Sequence, residues 1–108
     1  MDELGSDRAA AVAINTRSDA DGFPVVTVSG EVDVSNVDVL KARVLSVTAK
    51  HPERIIFDLS DVRYIDSAGI AVLLGAAAEC AVRLRDPSPA VSRVVELTGL
   101  TDVLPVAS

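Results

Sequence analysis

Tryptophan is absent from the 108 residues, and Phe23, Phe57 and Tyr64 are the only aromatics, so any core must be aliphatic. Cysteine occurs once, at Cys80, which excludes an internal disulfide and fits a reducing compartment. Histidine also occurs once, at His51. Residues 1–10 (MDELGSDRAA) lack the basic start and apolar run of a secretory signal and carry Asp2, Glu3 and Asp7 instead. Basic charge is scarce: ten Lys and Arg against sixteen Asp and Glu leave a net charge of −6. Such a balance argues against a nucleic-acid footprint and against docking on an anionic membrane. What is present is a 49% apolar content, enough for a real core, in a length that suits one small domain. The expectation is a cytoplasmic domain over residues 11–108, behind a flexible acidic tail over 1–10.

The hydrophobic period alternates between strand and helix along the chain. Val12, Ile14 and Thr16 alternate with small or polar residues and predict a first strand. The sequence DADG at 19–22 signals a hairpin turn, and the β-branched run VVTVS at 25–29 predicts the return strand. Gly30 is expected to let the chain leave the sheet. Ser35 stands three residues before Asp38, close to a capping box, although the usual partner is Glu or Gln. Val34 and Val39 are placed for a hydrophobic staple around that cap. Val37, Leu40, Val44 and Val47 then follow helical spacing, until His51-Pro52 ends the segment.

RIIFDL at 54–59 is a nearly continuous apolar run of central-strand length. Asp66-Ser67-Ala68-Gly69 opens a second helix, apolar almost all round, through IAVLLGAAAECA. At about a dozen residues it falls far short of the roughly 20 that cross a bilayer. VRLR at 82–85 predicts a short strand. Ser88 as cap and Pro89 at the first helical position then start a third helix, with Val91, Val94, Val95 and Thr98 as its buried stripe and Gly99 as its stop. DVLPV at 102–106 predicts an edge strand. The order implies an α/β fold: a mixed sheet of four to five strands with helices mainly on one face. The loops 30–36 and 60–68 should meet at the carboxyl ends of neighbouring strands, where open α/β sheets place their functional groups.

Catalytic chemistry finds little support. A nucleophile needs a nearby base, and His51 is predicted at the far end of the first helix from Ser67. A metal site needs three or four clustered ligands, and no cofactor or metal is expected here. GIAVLLG does not match a phosphate-cradling glycine loop. Cys80 lies on an apolar helix and suits an inert core thiol. What stands out is acid around one hydroxyl: Asp33, Asp58, Asp61 and Asp66 all fall in or near the loops expected to surround Ser67. Ser67 or Asp66 is readable simply as a helix cap. The residues alone favour that plain reading; the sharper one is a phosphorylation switch, because helix-terminal N–H groups tolerate a phosphoserine while its charge alters what can dock.

FDLSDVRYIDSAGIAVLLGA at 57–76 resembles the signature of the STAS domain of bacterial anti-sigma factor antagonists. VSGEVDVSN at 28–36 resembles that family's G-E-(L/I)-D loop, and PSPAVSRVVELTGL at 87–100 resembles its third-helix segment. The resemblance implies a STAS fold and a non-enzymatic module. Such a module binds an anti-sigma factor of the GHKL serine kinase type and thereby frees a sigma factor. It further implies that phosphorylation of Ser67 breaks the complex, and that a phosphatase acts on phosphorylated Ser67. Asp33 matches the loop acid and Asp66 the residue before the phospho-acceptor. The partner surface maps to Gly30, Glu31, Asp33, Ser35, Asp66, Ser67, Ala68, Gly69 and Ile70. Two departures accompany the match. Glu79 runs almost directly into Val82, so the second helix must end early or the fourth strand must be short. The sequence given also stops where the family commonly adds a helix. A monomer or weak homodimer is expected. The alternative function is a STAS scaffold subunit that acts by self-association.

Overall fold

The β-branched stretches assemble into one sheet. In this computed structural model, which describes residues 11–107, the strands are β1 (Val12–Ser18), β2 (Pro24–Val32), β3 (Arg54–Ile65) and β4 (Ala81–Arg85). The acidic tail expected over 1–10 lies outside the described residues. The sheet order is β1-β2-β3-β4; β1 pairs antiparallel with β2, while β2–β3 and β3–β4 are parallel. The parallel pairs are joined through helices α1 (Val37–Thr48) and α2 (Ser67–Glu79), and α3 (Pro89–Leu97) follows β4.

One aliphatic cluster holds these layers together. Val26, Val28 and Val32 of β2 and Ile55, Phe57, Leu59, Val62 and Ile65 of β3 meet the buried faces of all three helices. Leu40, Val44 and Val47 come from α1, Ile70, Leu73 and Ala76 from α2, and Val91 and Val95 from α3. Each of the larger side chains contributes about 1.5–3 kcal/mol by leaving water. This arrangement bears out the α/β sheet with helices packed on one face.

Both inner strands run further than the apolar runs suggest. β2 continues through Gly30 to Val32, and β3 continues past Leu59 to Ile65. The loops expected over 30–36 and 60–68 therefore begin as strand. Register shifts between Thr27 and Ser29 and between Gly30 and Glu31 break the two-residue alternation. They keep Val62 and Ile65 buried while Ser60, Asp61, Arg63 and Tyr64 stay exposed. Gly30 does not release the chain; it sits inside β2 at φ +98. A Cβ there would stand 2.1 Å from the Ala11 carbonyl oxygen, so only glycine fits.

The edge strand expected over 102–106 reduces to a single bridge between Leu84 and Val106. Leu84 donates its N–H to Pro105 O and accepts at its own carbonyl from Ala107 N. Val103 and Leu104 instead close a turn onto Leu100 O, and Pro105 brings no N–H with which to lengthen a ladder. In α3, Ser88 caps as expected, its Oγ accepting from Val91 N at 3.3 Å. Thr98 is not in the buried stripe: it is exposed, and its hydroxyl donates to Val94 O and Val95 O at the helix end. The abrupt connection after Glu79 is made by Cys80 alone, in extended conformation: the helix ends two residues before the expected Ala81, so Cys80 is not helical, and β4 starts at once at Ala81.

Candidate partner-binding site at the start of the second helix

Parallel pairing of β2 with β3 brings two chain exits side by side. Glu31 lies opposite Tyr64 and Val32 opposite Ile65, and Asp66 N donates to Val32 O at 3.2 Å. Residues 31–36 and 66–70 thus leave the sheet together and form one surface.

The 31–36 segment is tied by its own side chains. Asp33 Oδ1 accepts from Ser35 N at 2.8 Å and from Ser35 Oγ at 2.5 Å. Asn36 Oδ1 accepts from Asp33 N at 3.1 Å, and Asn36 Nδ2 donates to Glu31 O at 2.8 Å. Asn36, not Ser35, holds the N-cap position of α1, so the Ser35–Asp38 capping box does not form. Nor does the staple, because Val34 is 77% exposed and Val39 57%. Asn36 is the residue that pattern reasoning missed. Its side chain makes no capping bond to the helix and instead ties Asp33 N and Glu31 O, a role that the capping pattern does not signal.

At the second exit Asp66 is the N-cap of α2. Its carboxylate accepts from Ala68 N at 3.0 Å and Gly69 N at 3.2 Å, satisfying two of the helix's unpaired donors. Ser67 follows as the first helical residue, exposed, and its hydroxyl has no hydrogen-bond partner among the described residues. Gly69 makes the close seating possible, because a Cβ there would lie 2.7 Å from Ile65 Cγ1 and 2.9 Å from Val32 Cγ1.

The residues expected to meet a partner separate by exposure. Ser35 and Ser67 are exposed, while Glu31, Asp33, Asp66 and Ala68 are half-buried. Gly30, Gly69 and Ile70 are buried, and Ile70 belongs to the core cluster, so these three shape the surface from beneath and offer no side chain to a partner. Val34 and Val39, exposed beside Asp33, extend the surface with apolar area. Glu31 is weakly paired with Arg63 at 3.9 Å.

The ring of four acids around Ser67 is not formed. Asp58 and Asp61 lie within β3, opposite Thr27 and Ser29, well before the strand reaches Ile65. Asp58 Oδ1 is engaged by Ser60 N and Ser60 Oγ. Only Asp33 and Asp66 stand at the exits beside Ser67. His51 lies beyond the C-terminal end of α1, whereas the N-terminal end of that helix borders the site. Among the described residues no group of three or more His, Cys, Asp or Glu could hold a metal. Among them, too, no helix is long and apolar enough to cross a membrane.

The fold is that of a known protein family. The chain belongs to the STAS domain family, whose model matches residues 13–108. It is 28% identical over 93 residues to an anti-sigma F factor antagonist of Paenibacillus polymyxa, covering 79% of this chain and 78% of that protein. It is 27% identical over 88 residues to the anti-sigma-B factor antagonist of Bacillus subtilis, covering 77% and 80%. The crystal structure of an anti-sigma factor antagonist from Mycobacterium paratuberculosis superposes with a TM-score of 0.80 at 30% identity, covering 89% of this chain and 85% of that one.

Proposed function

We propose that this chain is an anti-sigma factor antagonist whose surface over 31–39 and 66–68 binds an anti-sigma factor of the GHKL serine kinase type. Phosphorylation of Ser67 by that kinase ends the complex, and a phosphatase restores it. The observation that carries this reading is the geometry at Ser67: an exposed, unpartnered hydroxyl on the first turn of α2, on the surface the two strand exits build. The named function of the relatives supports the same assignment.

The electrostatics favour a switch that acts outward. The helix-terminal amides expected to accommodate a phosphate are those of Ala68 and Gly69, and Asp66 already holds both. A phosphate on Ser67 therefore adds close to two negative charges beside Asp66 and Asp33 without those donors to neutralise it. The helix keeps its cap and the fold survives. A partner surface matched to a neutral hydroxyl then meets a solvated dianion, whose burial on docking is costly.

The test is a pull-down from host cytosol with ATP, comparing wild-type, Ser67→Ala and Ser67→Asp baits by mass spectrometry. An ATPase-fold anti-sigma factor enriched on the alanine bait and lost on the aspartate bait is the expected result. Equal capture by the aspartate bait, or no anti-sigma factor on any bait, overturns the proposal.

A further inference from the structure

The two outer strands of the sheet, β1 and β4, differ in how their free edges are covered. Glu31 N donates to Ala11 O and Asp19 N to Phe23 O, both at 2.9 Å, so the bonded positions of the β1–β2 pair fall on odd-numbered residues of the first strand. Backbone groups along an antiparallel strand point alternately to one side and the other. The N–H and C=O groups of Val12, Ile14, Thr16 and Ser18 therefore point away from β2, along the open edge. We infer that this edge is a strand-pairing site for a second copy of the chain, and that Arg43 is the contact that holds it partly closed.

Three features carry the inference. The first is the contrast between the edges. On β4, Leu84 N donates to Pro105 O at 2.8 Å, Leu84 O accepts from Ala107 N at 2.7 Å, and Val82 O accepts from Arg83 Nη1 at 3.1 Å. On β1, among the described residues, only Arg43 reaches the edge, donating from Nη1 to Ile14 O at 3.4 Å and to Thr16 Oγ1 at 3.2 Å. Both bonds are long, and the outward N–H groups of Ile14, Thr16 and Ser18 have no partner there. The second feature is what β1 lacks. Exposed edges are usually blunted by proline, lysine or a bulge. VAINTRS contains neither residue, and its register with β2 runs unbroken from Val12 to Ser18. The third is symmetry, which selects a second copy as the occupant. A two-fold axis at Asn15 sets Ile14 opposite the partner's Thr16 and Val12 opposite the partner's Ser18, and each pair exchanges two backbone bonds. Arg17 then faces the partner's Ala13, so no like charges meet across the seam. Ile14, which already packs against the core cluster, gains the partner's Thr16 as a neighbour on the same face. Because the paired strands run antiparallel, the two surfaces that carry Ser67 fall at opposite ends of the joined sheet. Both stay open, so the inference stands apart from the proposed function.

The experiment is sedimentation equilibrium of the full chain over a range of concentrations, with hydrogen exchange at the β1 amides as the local readout. The wild type should show a weak, reversible monomer–dimer equilibrium. Arg43→Ala, which frees the edge, should lower the dissociation constant at least about tenfold, equivalent to about 1.4 kcal/mol. Exchange at the Ile14 and Thr16 amides should slow as concentration rises, while that of Val28, inside the sheet, stays constant. Thr16→Pro removes an outward N–H and none of the β1–β2 bonds, and should abolish the dimer in both backgrounds. Should that variant not fold, amide exchange in the wild type and Arg43→Ala decides alone. A monomer at every concentration in both proteins overturns the inference. So does a dimer whose Ile14 and Thr16 amides exchange as fast as in the monomer, or one that persists in folded Thr16→Pro. A dissociation constant unchanged by Arg43→Ala overturns the role given to Arg43.

Discussion

Asp66 donates its backbone N–H to the carbonyl of Val32 at 3.2 Å, so the residue that caps α2 is fastened to the end of β2. Through this one bond the start of the helix that carries Ser67 and the segment that carries Asp33 keep a fixed relation. The proposed partner recognition across both segments rests on that relation, and its parts can be tested one at a time.

Gly69→Ala should destabilise the domain by about 1–3 kcal/mol, the usual cost of inserting a methyl group into a packed contact. The new Cβ would meet Ile65 Cγ1 at 2.7 Å and Val32 Cγ1 at 2.9 Å, which forces α2 away from the strand ends. Urea denaturation measures the loss of stability. Affinity for the anti-sigma factor should fall as well, since Ser67 moves with the helix.

Gly30→Ala should cost more than Gly69→Ala. The obstacle is the backbone oxygen of Ala11, which no rotamer change can relieve, and φ +98 adds conformational strain. The bond from Glu31 N to Ala11 O at 2.9 Å should open first. Hydrogen exchange at the Glu31 amide, compared with that of a central residue such as Phe57, reads this directly.

Asp66→Ala should lower stability by about 1 kcal/mol through loss of the cap, whereas Asp66→Asn should stay within about half of that, because asparagine caps equally well. The asparagine variant also removes one of the two carboxylates beside Ser67. Denaturant midpoints of the two variants separate capping from charge.

Burial raises the pKa of the Cys80 thiol, the neighbouring Glu79 carboxylate raises it further, and a backbone hydrogen bond from Ile55 partly offsets both. A thiol whose pKa is raised by folding favours the native state below the unfolded-state pKa, near 8.5. That contribution is lost as pH rises through the higher folded value. The stability of the wild type relative to Cys80→Ala should accordingly fall above about pH 8.5, and Glu79→Gln should lessen the fall. Alkylation of native Cys80 by iodoacetamide at pH 8 should be slower than that of the denatured chain.

Most of the elements were legible because they announce themselves locally. Ser88-Pro89 supplies a cap and a first helical residue, Gly99 stops the same helix at φ +72, and Leu40, Val44 and Val47 keep helical spacing. The third strand was cut short at Leu59 because the bulge beyond it breaks the alternation that marks a strand. Thr98 fits the helical stripe by number alone, yet at the last turn its hydroxyl bonds back to Val94 O and the side chain stays at the surface.

The candidate site was legible in part. A hydroxyl behind a capping acid at a helix start is a local pattern, and Asp66 and Ser67 conform to it. Which other acids stand near that hydroxyl is a question of register across the sheet. Asp58 and Asp61 are close to Ser67 in sequence, but an extended strand advances about 3.3 Å per residue and leaves both behind along β3. Asp33, more than thirty positions away, is brought close by the pairing of Val32 with Ile65.

The amino-acid order by itself determined an aliphatic α/β domain, the two parallel strands at its centre and one serine at the head of an apolar helix. Tertiary structure alone decided that Gly30 passes through the sheet and that Ile70 faces the core. Hydrophobic period and capping chemistry act over a few residues and can be read along the chain. Register, bulges and the approach of backbone to backbone arise between distant segments, and they take their values only once the sheet has formed.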